Sequence, residues 1–266
     1  MKRALFVAVC VLALCSSCLL IGTGIVMAAK AGYSHTVYPL QTAVTWDGNW
    51  TSTGEWTDGF PTSITANSVF RTKWELISDP FRVNQYILVE ILNDTTNDAG
   101  DYWQICMDCD MSGGTAPGSG DLRIDIVGHN NVTWYQGTGT GWTPMATPSA
   151  DQFKWSNSIS ASPHSSTPHW ILELMIDKAL GPGAQYWARV AAYDASNSAA
   201  GVHAWPPSSP DVPDDYGDFP YVSDPIPESM SLGVVVLLSS VAVLVGSFCY
   251  RKRLRIDNCS SGKLGK

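Results

Sequence analysis

The residues best suited to chemistry in this 266-residue sequence lie at Asp108-Cys109-Asp110-Met111-Ser112-Gly113-Gly114. Oxygen-bearing side chains alternate there as an apolar run ends, and glycines follow where the chain must turn. Asp121 returns after the loop. Hard cations take roughly six to eight oxygen ligands, so Asp108, Asp110, Ser112 and Asp121, with loop carbonyls, suit calcium. Ser119 stands where an EF-hand would need its bidentate Glu, which excludes that motif. The same residues also read as a solvated Asp/Gly turn. A second acidic stretch, from Asn93 through Asp94 and Asp98 to Asp101, reads first as a plain turn, with calcium as the alternative.

Cys106 and Cys109 flank the same point, and the other five cysteines lie near the two ends of the chain. An oxidising compartment would permit a Cys106–Cys109 bridge, provided that the strand turns between them, because residues three apart on a strand face opposite ways. Zinc would need two further ligands, and a redox role would want a helix N-terminus. Haem would need an axial ligand, for which His129, His169, His203, Met107 and Met145 show no diagnostic spacing. No G-x-S-x-G, H-E-x-x-H or P-loop occurs, so no enzyme is expected. Sugar recognition needs an exposed aromatic ring with amides and carboxylates nearby. Trp134, Trp142 and Trp155, in Gly/Thr/Ser-rich surroundings with Asn130, Asn131 and Gln136 close by, are the expected carbohydrate residues; burial in the core is the competing reading of each Trp.

The elements that must position these residues read as strands. Phe70, Thr72, Trp74 and Leu76 alternate with Arg71, Lys73 and Glu75, a strand with one wet face. Tyr86 to Leu92 is nearly continuous apolar sequence; Trp103, Ile105 and Met107 alternate with Gln104 and Cys106; Leu122, Ile124 and Ile126 alternate with Arg123 and Asp125. Val132 to Tyr135, Trp170 to Ile176 and Trp187 to Tyr193 complete the set. Gly, Pro, Ser, Asn and Asp clusters separate them, and no amphipathic helix period appears outside the apolar ends. The expected fold is all-β, an antiparallel β-sandwich of jelly-roll type.

Between Gly32 and Glu228, seven Lys or Arg stand against 23 Asp or Glu, a balance of −16. Such a field disfavours nucleic acid and suits cations or neutral ligands. All 11 Trp lie between Trp46 and Trp205, consistent with one domain over 32–219. Residues 1–31 read as an export signal: Lys2 and Arg3, an apolar run from Ala4 to Met27, then small residues at Ala28, Ala29 and Ala31. Residues 220–229 read as a Pro-rich stalk, 230–250 as an uncharged transmembrane helix, and 251–266 as a basic cytoplasmic tail. The domain is therefore expected outside a cell membrane crossed once. Sequons at Asn49, Asn93 and Asn131 offer glycosylation sites there.

Val44-Thr45-Trp46-Asp47-Gly48, followed by Gly54-Glu55-Trp56-Thr57-Asp58, resembles the opening of the carbohydrate-binding family 9 and DOMON-like sandwiches. The apolar strand from Tyr86 to Asn93, the stretch from Asp101 to Asp108 and the strand from Trp170 to Ile176 continue the resemblance. It implies a non-catalytic module for sugar or, in other branches, haem. Pro225-Ile226-Pro227-Glu228, the span and Arg251-Lys252-Arg253 together resemble bacterial and archaeal sorting tails of the PEP-CTERM kind, which implies a sorting protease as partner. The leading expectation is a membrane-anchored carbohydrate-binding module with structural calcium. A cell-envelope structural or adhesion protein without a small ligand, with an envelope polymer as partner, and a haem-binding redox domain are the alternatives.

Overall fold

The computed structural model describes residues 29–78, 82–177 and 185–222; all but the last three residues of the expected signal, most of the stalk, the span and the tail lie outside them. Among the described residues no helix is long and apolar enough to cross a membrane. The strands are β1 (Tyr38–Pro39), β2 (Pro61–Thr65), β3 (Ser68–Ser78), β4 (Arg82–Ile91), β5 (Tyr102–Asp108), β6 (Asp121–Val127) and β7 (Asn131–Gly137). They continue with β8 (Trp142–Met145), β9 (Phe153–Ser162), β10 (Ser165–Asp177), β11 (Gln185–Tyr193), β12 (His203–Trp205) and β13 (Gly217–Pro220). One sheet has the order β1-β3-β4-β10-β9 with β2 also on β3, and the other has β12-β11-β5-β6-β7-β8 with β13 also on β11. Apart from the parallel β1–β3 pair, neighbouring strands run antiparallel. The protein is an all-β sandwich.

Period-two alternation decides which side chains meet between the sheets. Phe70, Ile87, Val89, Leu172 and Leu174 from the first sheet meet Trp103, Ile105, Ile124, Trp134 and Val190 from the second in one buried cluster. Burying each such side chain contributes about 1.5–3 kcal/mol, so this cluster fixes the pairing of the sheets.

The outer face of the first sheet differs from the sequence expectation. Arg71 and Lys73 are buried rather than wet. A strap over residues 40–60, which carries both halves of the Trp-Asp-Gly and Gly-Glu-Trp motif, lies across that face. Trp56 is wholly buried among Leu88, Ile171 and Met175, and Trp46 stacks on Tyr86 with centroids 5.6 Å apart. Lys73 Nζ pairs with Asp58 at 3.0 Å and donates to the carbonyls of Thr42 and Glu55. Glu173 accepts from Trp56 Nε1 at 2.8 Å and from the Asp47 and Gly48 amides. Glu90 accepts from Trp50 Nε1 and Ser162 Oγ. Arg71 donates to the Trp56 and Gly59 carbonyls, so Arg71, Lys73, Glu90 and Glu173 are paired with the strap, whereas Glu75 accepts from the Tyr86 hydroxyl. Gly48 touches the sheet most closely, with φ of +74°; a Cβ there would fall 2.3 Å from the Asn157 carbonyl carbon, so only glycine fits.

Cys106 and Cys109 are corrected too. Cys106 faces outward against Trp187 and Tyr216, whereas Cys109 packs into the core between the sheets. The strand does not turn between them, and no bridge joins them. Burial pushes the Cys106 thiol up to about 12, which keeps it protonated and inert.

Candidate ligand face and cation loop

Strand register places residues in three rows across the outer face of the second sheet. Tyr193, Tyr102, Val127 and Asn131 form one row across β11, β5, β6 and β7; Ala191, Gln104, Asp125 and Thr133 form the next. Arg189, Cys106, Arg123, Tyr135 and Pro144 form the third, which reaches β8. Within these rows the polar side chains are joined. Arg189 Nη1 donates to Gln104 Oε1 at 2.7 Å, Gln104 Nε2 donates to Asp125 Oδ1 at 3.0 Å, and Arg123 forks onto both Asp125 oxygens. Arg123 also lies over the Tyr135 ring at 4.8 Å, and Tyr102 and Tyr193 stack at 5.3 Å. The result is a line of planar polar groups held in place by their own hydrogen bonds and bordered by aromatic rings.

The segment from Pro206 to Tyr216 bounds this face on one side. Ser208 O accepts from Arg189 Nε, Asp211 accepts from Trp142 Nε1 at 2.9 Å, and Tyr216 covers Cys106 and Trp187. Tyr193, Tyr102, Val127, Asn131, Thr133, Arg123 and Tyr135 stay at least partly open to solvent, whereas Ala191, Gln104, Asp125 and Arg189 are buried beneath them.

The expected carbohydrate residues do not gather as a trio. Trp134 has no exposed surface and sits in the core, because its position on β7 alternates inward. Trp155 on β9 packs against the same cluster from the first sheet, opposite Leu174. Trp142 on β8 is the one that reaches the outer face, opposite Gly137 and beyond Tyr135. Asn131 is exposed on that face, while the Gln136 amide is bonded to Ser119 O. Tyr102, Gln104, Arg123, Asp125, Tyr135, Arg189 and Tyr193, which share this face, were not singled out from the sequence. Their signal was present in the alternation itself, since Arg123 and Asp125 two apart on a strand must share a face.

The carboxylates of the β5–β6 connection do come together. Asp108 and Asp121 are direct cross-strand partners, and ligating oxygens of Asp108, Asp110 and Asp121 lie within 4.8 Å of one another. The loop folds back onto them: the Ser112 amide donates to Asp108 and Asp110, Gly113 to Asp108 and Gly118 to Asp121. Asp121 Oδ1 is buried and has no hydrogen-bond partner. Burial, with repulsion from Asp108, raises the Asp121 pKa to about 7; burial raises that of Asp108 to about 6. Like charges placed directly opposite repel, so the arrangement suits a cation.

The other expected positions have other work. His129 stacks on Trp170 with centroids 3.6 Å apart, His169 Nε2 contacts Glu90, His203 contacts Thr65 and Ser68, and Met107 lies in the core with Met145 packed against it. None of these converges as a haem ligand set. The Asn49 side chain donates to Asp47 O and accepts from Ser158 Oγ, whereas Asn93 and Asn131 are exposed.

No family model matches the chain, and no curated protein matches it. Among solved structures, it is similar to a carbohydrate-binding module family 9 from Caldicellulosiruptor kristjanssonii in complex with cellotriose, at 15% identity and a TM-score of 0.47, over 72% of this chain and 95% of that one. It is similar to the glucose complex of such a module from the same organism at 17% identity and a TM-score of 0.47, over 72% of this chain and 99% of that one.

Proposed function

We propose that this chain is an exported, membrane-anchored binding module that holds carbohydrate on the outer face of the second sheet, with calcium as a structural ion in the β5–β6 loop. The observation that carries the reading is the joined line Arg189–Gln104–Asp125–Arg123 beside Tyr102, Tyr193 and Tyr135. Neighbouring sugar hydroxyls pair with planar, fork-shaped groups, and the C–H face of a pyranose packs on an aromatic ring. A line of such groups fixed by its own hydrogen bonds costs little entropy to engage. The anchor rests on the uncharged run from Met230 to Tyr250 with its basic flank, and the sorting-tail reading on Pro225 to Glu228.

A glycan array probed with the purified protein, followed by titration calorimetry on the best ligand, tests the reading. Arg123→Ala is expected to weaken binding by about 10- to 100-fold, the value of one charged hydrogen-bonding group. Tyr102→Ala is expected to weaken it less, and Lys154→Ala, on the first sheet, to leave it unchanged. Unaltered glycan affinity in a folded Arg123→Ala variant would place the ligand elsewhere.

A further inference from the structure

At the far end of β5 the connecting loops hold a second carboxylate cluster, separate from the face and from the first cation loop. Asp94 and Asp98 follow β4, Asp101 precedes β5 and Asp194 follows β11. Ligating atoms of Asp94, Asp101 and His129 lie within 4.8 Å of one another, and so do those of Asp98, Asp101 and Asp194. Asp101 is shared and organises the loops: its Oδ2 accepts from the Asp98 amide at 2.9 Å and His129 Nε2 at 2.8 Å, and its Oδ1 from the Ala195 amide at 2.8 Å.

Asp94 is the residue that points to a ligand. It is wholly buried; Oδ1 accepts from the amide and hydroxyl of Thr96, but Oδ2 is buried with no hydrogen-bond partner. Leaving a buried acceptor unsatisfied costs about 1–3 kcal/mol, and more when it is charged. Among the described residues no Lys or Arg pairs with any of the four carboxylates, and their one ion-pair contact is that of His129 with Asp101. Burial, with repulsion from Asp101 and Asp194, raises the Asp94 pKa to about 6.

We propose that Asp94, Asp98, Asp101 and Asp194 form a second site for a hard divalent cation such as calcium. Its oxygens come from two separate loops, so the ion would tie together the β4–β5 and β11–β12 connections. His129 supports it from outside by holding Asp101. The site stands roughly 24 Å along β5 from Asp108, too far to share an ion.

Trp170 supplies the means of testing it. Its ring is stacked on His129 and its Nε1 donates to Thr96 O, so it stands beside the cluster and can pass excitation energy to bound Tb3+, an oxygen-seeking stand-in for Ca2+. The full-length chain in detergent, titrated with Tb3+ under tryptophan excitation, is expected to take two ions, both displaced by Ca2+. Asp121→Asn should leave one and Asp94→Asn the other. In an Asp121→Asn background, Trp170→Phe should lower the remaining emission several-fold. A folded Asp94→Asn/Asp121→Asn chain that binds Tb3+ as well as Asp121→Asn alone would overturn the proposal. Asp98→Asn, at a less buried ligand, provides the same comparison if Asp94→Asn does not fold. Should Asp121→Asn change nothing while Asp94→Asn removes an ion, the first loop would be the one misread.

Discussion

Replacing Trp56 with alanine is expected to lower the free energy of unfolding by about 3–5 kcal/mol, read from urea titration of the purified protein. The ring has no exposed surface and fills the space above Leu88, Ile171 and Met175. It also satisfies two buried charges: its Nε1 donates to Glu173, and Lys73 Nζ lies 4.7 Å from its centroid. Truncation therefore opens a cavity and leaves a carboxylate and an ammonium short of partners, costs that add. Trp46, half-exposed where it stacks on Tyr86, should cost clearly less when truncated. If both variants unfold at the same urea concentration as the parent, the strap is a passive covering.

Glu173 gives the strap a pH dependence whose sign can be worked out. Burial raises its pKa from the usual carboxylate value to about 7, against the pull of the Trp56, Gly48 and Asp47 donors. A carboxyl with a raised folded pKa takes up protons on folding. Its contribution is present in full below the unfolded pKa of about 4.5 and is lost as pH rises through the folded value near 7. The parent should lose roughly 3 kcal/mol relative to Glu173→Gln between pH 4 and pH 8. A constant difference between the two across that range would mean that Glu173 stays ionised under the strap.

The sequence shows the fold more clearly than the site, for a physical reason. Strands such as β5, β6 and β10 announce themselves because one side of each must be apolar to pack. β9 did not, since its outward Ser156, Ser158 and Ser160 are small to admit the strap, and its run reads as loop. Arg71 and Lys73 looked solvated because alternation reports which residues share a side, not what covers that side. The convergence of Asp108, Asp110 and Asp121 was legible because these residues are neighbours in sequence or close a single hairpin. The polar face was not, since Arg189, Gln104, Asp125 and Arg123 come from three strands and meet only through register. Trp134 misled for a related reason: a Gly/Thr-rich neighbourhood suggests exposure, yet β7 turns that ring inward.

Calcium held about a thousandfold above its dissociation constant is expected to raise the unfolding free energy by about 4 kcal/mol, and a chelator to remove that gain. Asp108 and Asp121 stand face to face across the end of β5 and β6, with Asp110 beside them and Asp121 Oδ1 without a hydrogen-bond partner. An ion there would replace repulsion with attraction and satisfy that oxygen, while the unfolded chain offers no assembled site. The ion must also displace protons that Asp108 and Asp121 hold up to about 6 and 7, so its apparent affinity should climb as pH rises through that range and level off above it. Differential scanning calorimetry at pH 8, with calcium and with chelator, gives the increment, and Asp121→Asn should remove the share that belongs to this loop. The effect should extend to the ligand face, because the Gly114 amide donates to Asp214 and so joins the loop to the segment that borders Arg189 and Trp142. Chelation is therefore expected to weaken glycan binding several-fold without abolishing it. Equal melting temperatures with calcium and with chelator at pH 8 would show that the three carboxylates carry their mutual repulsion unaided.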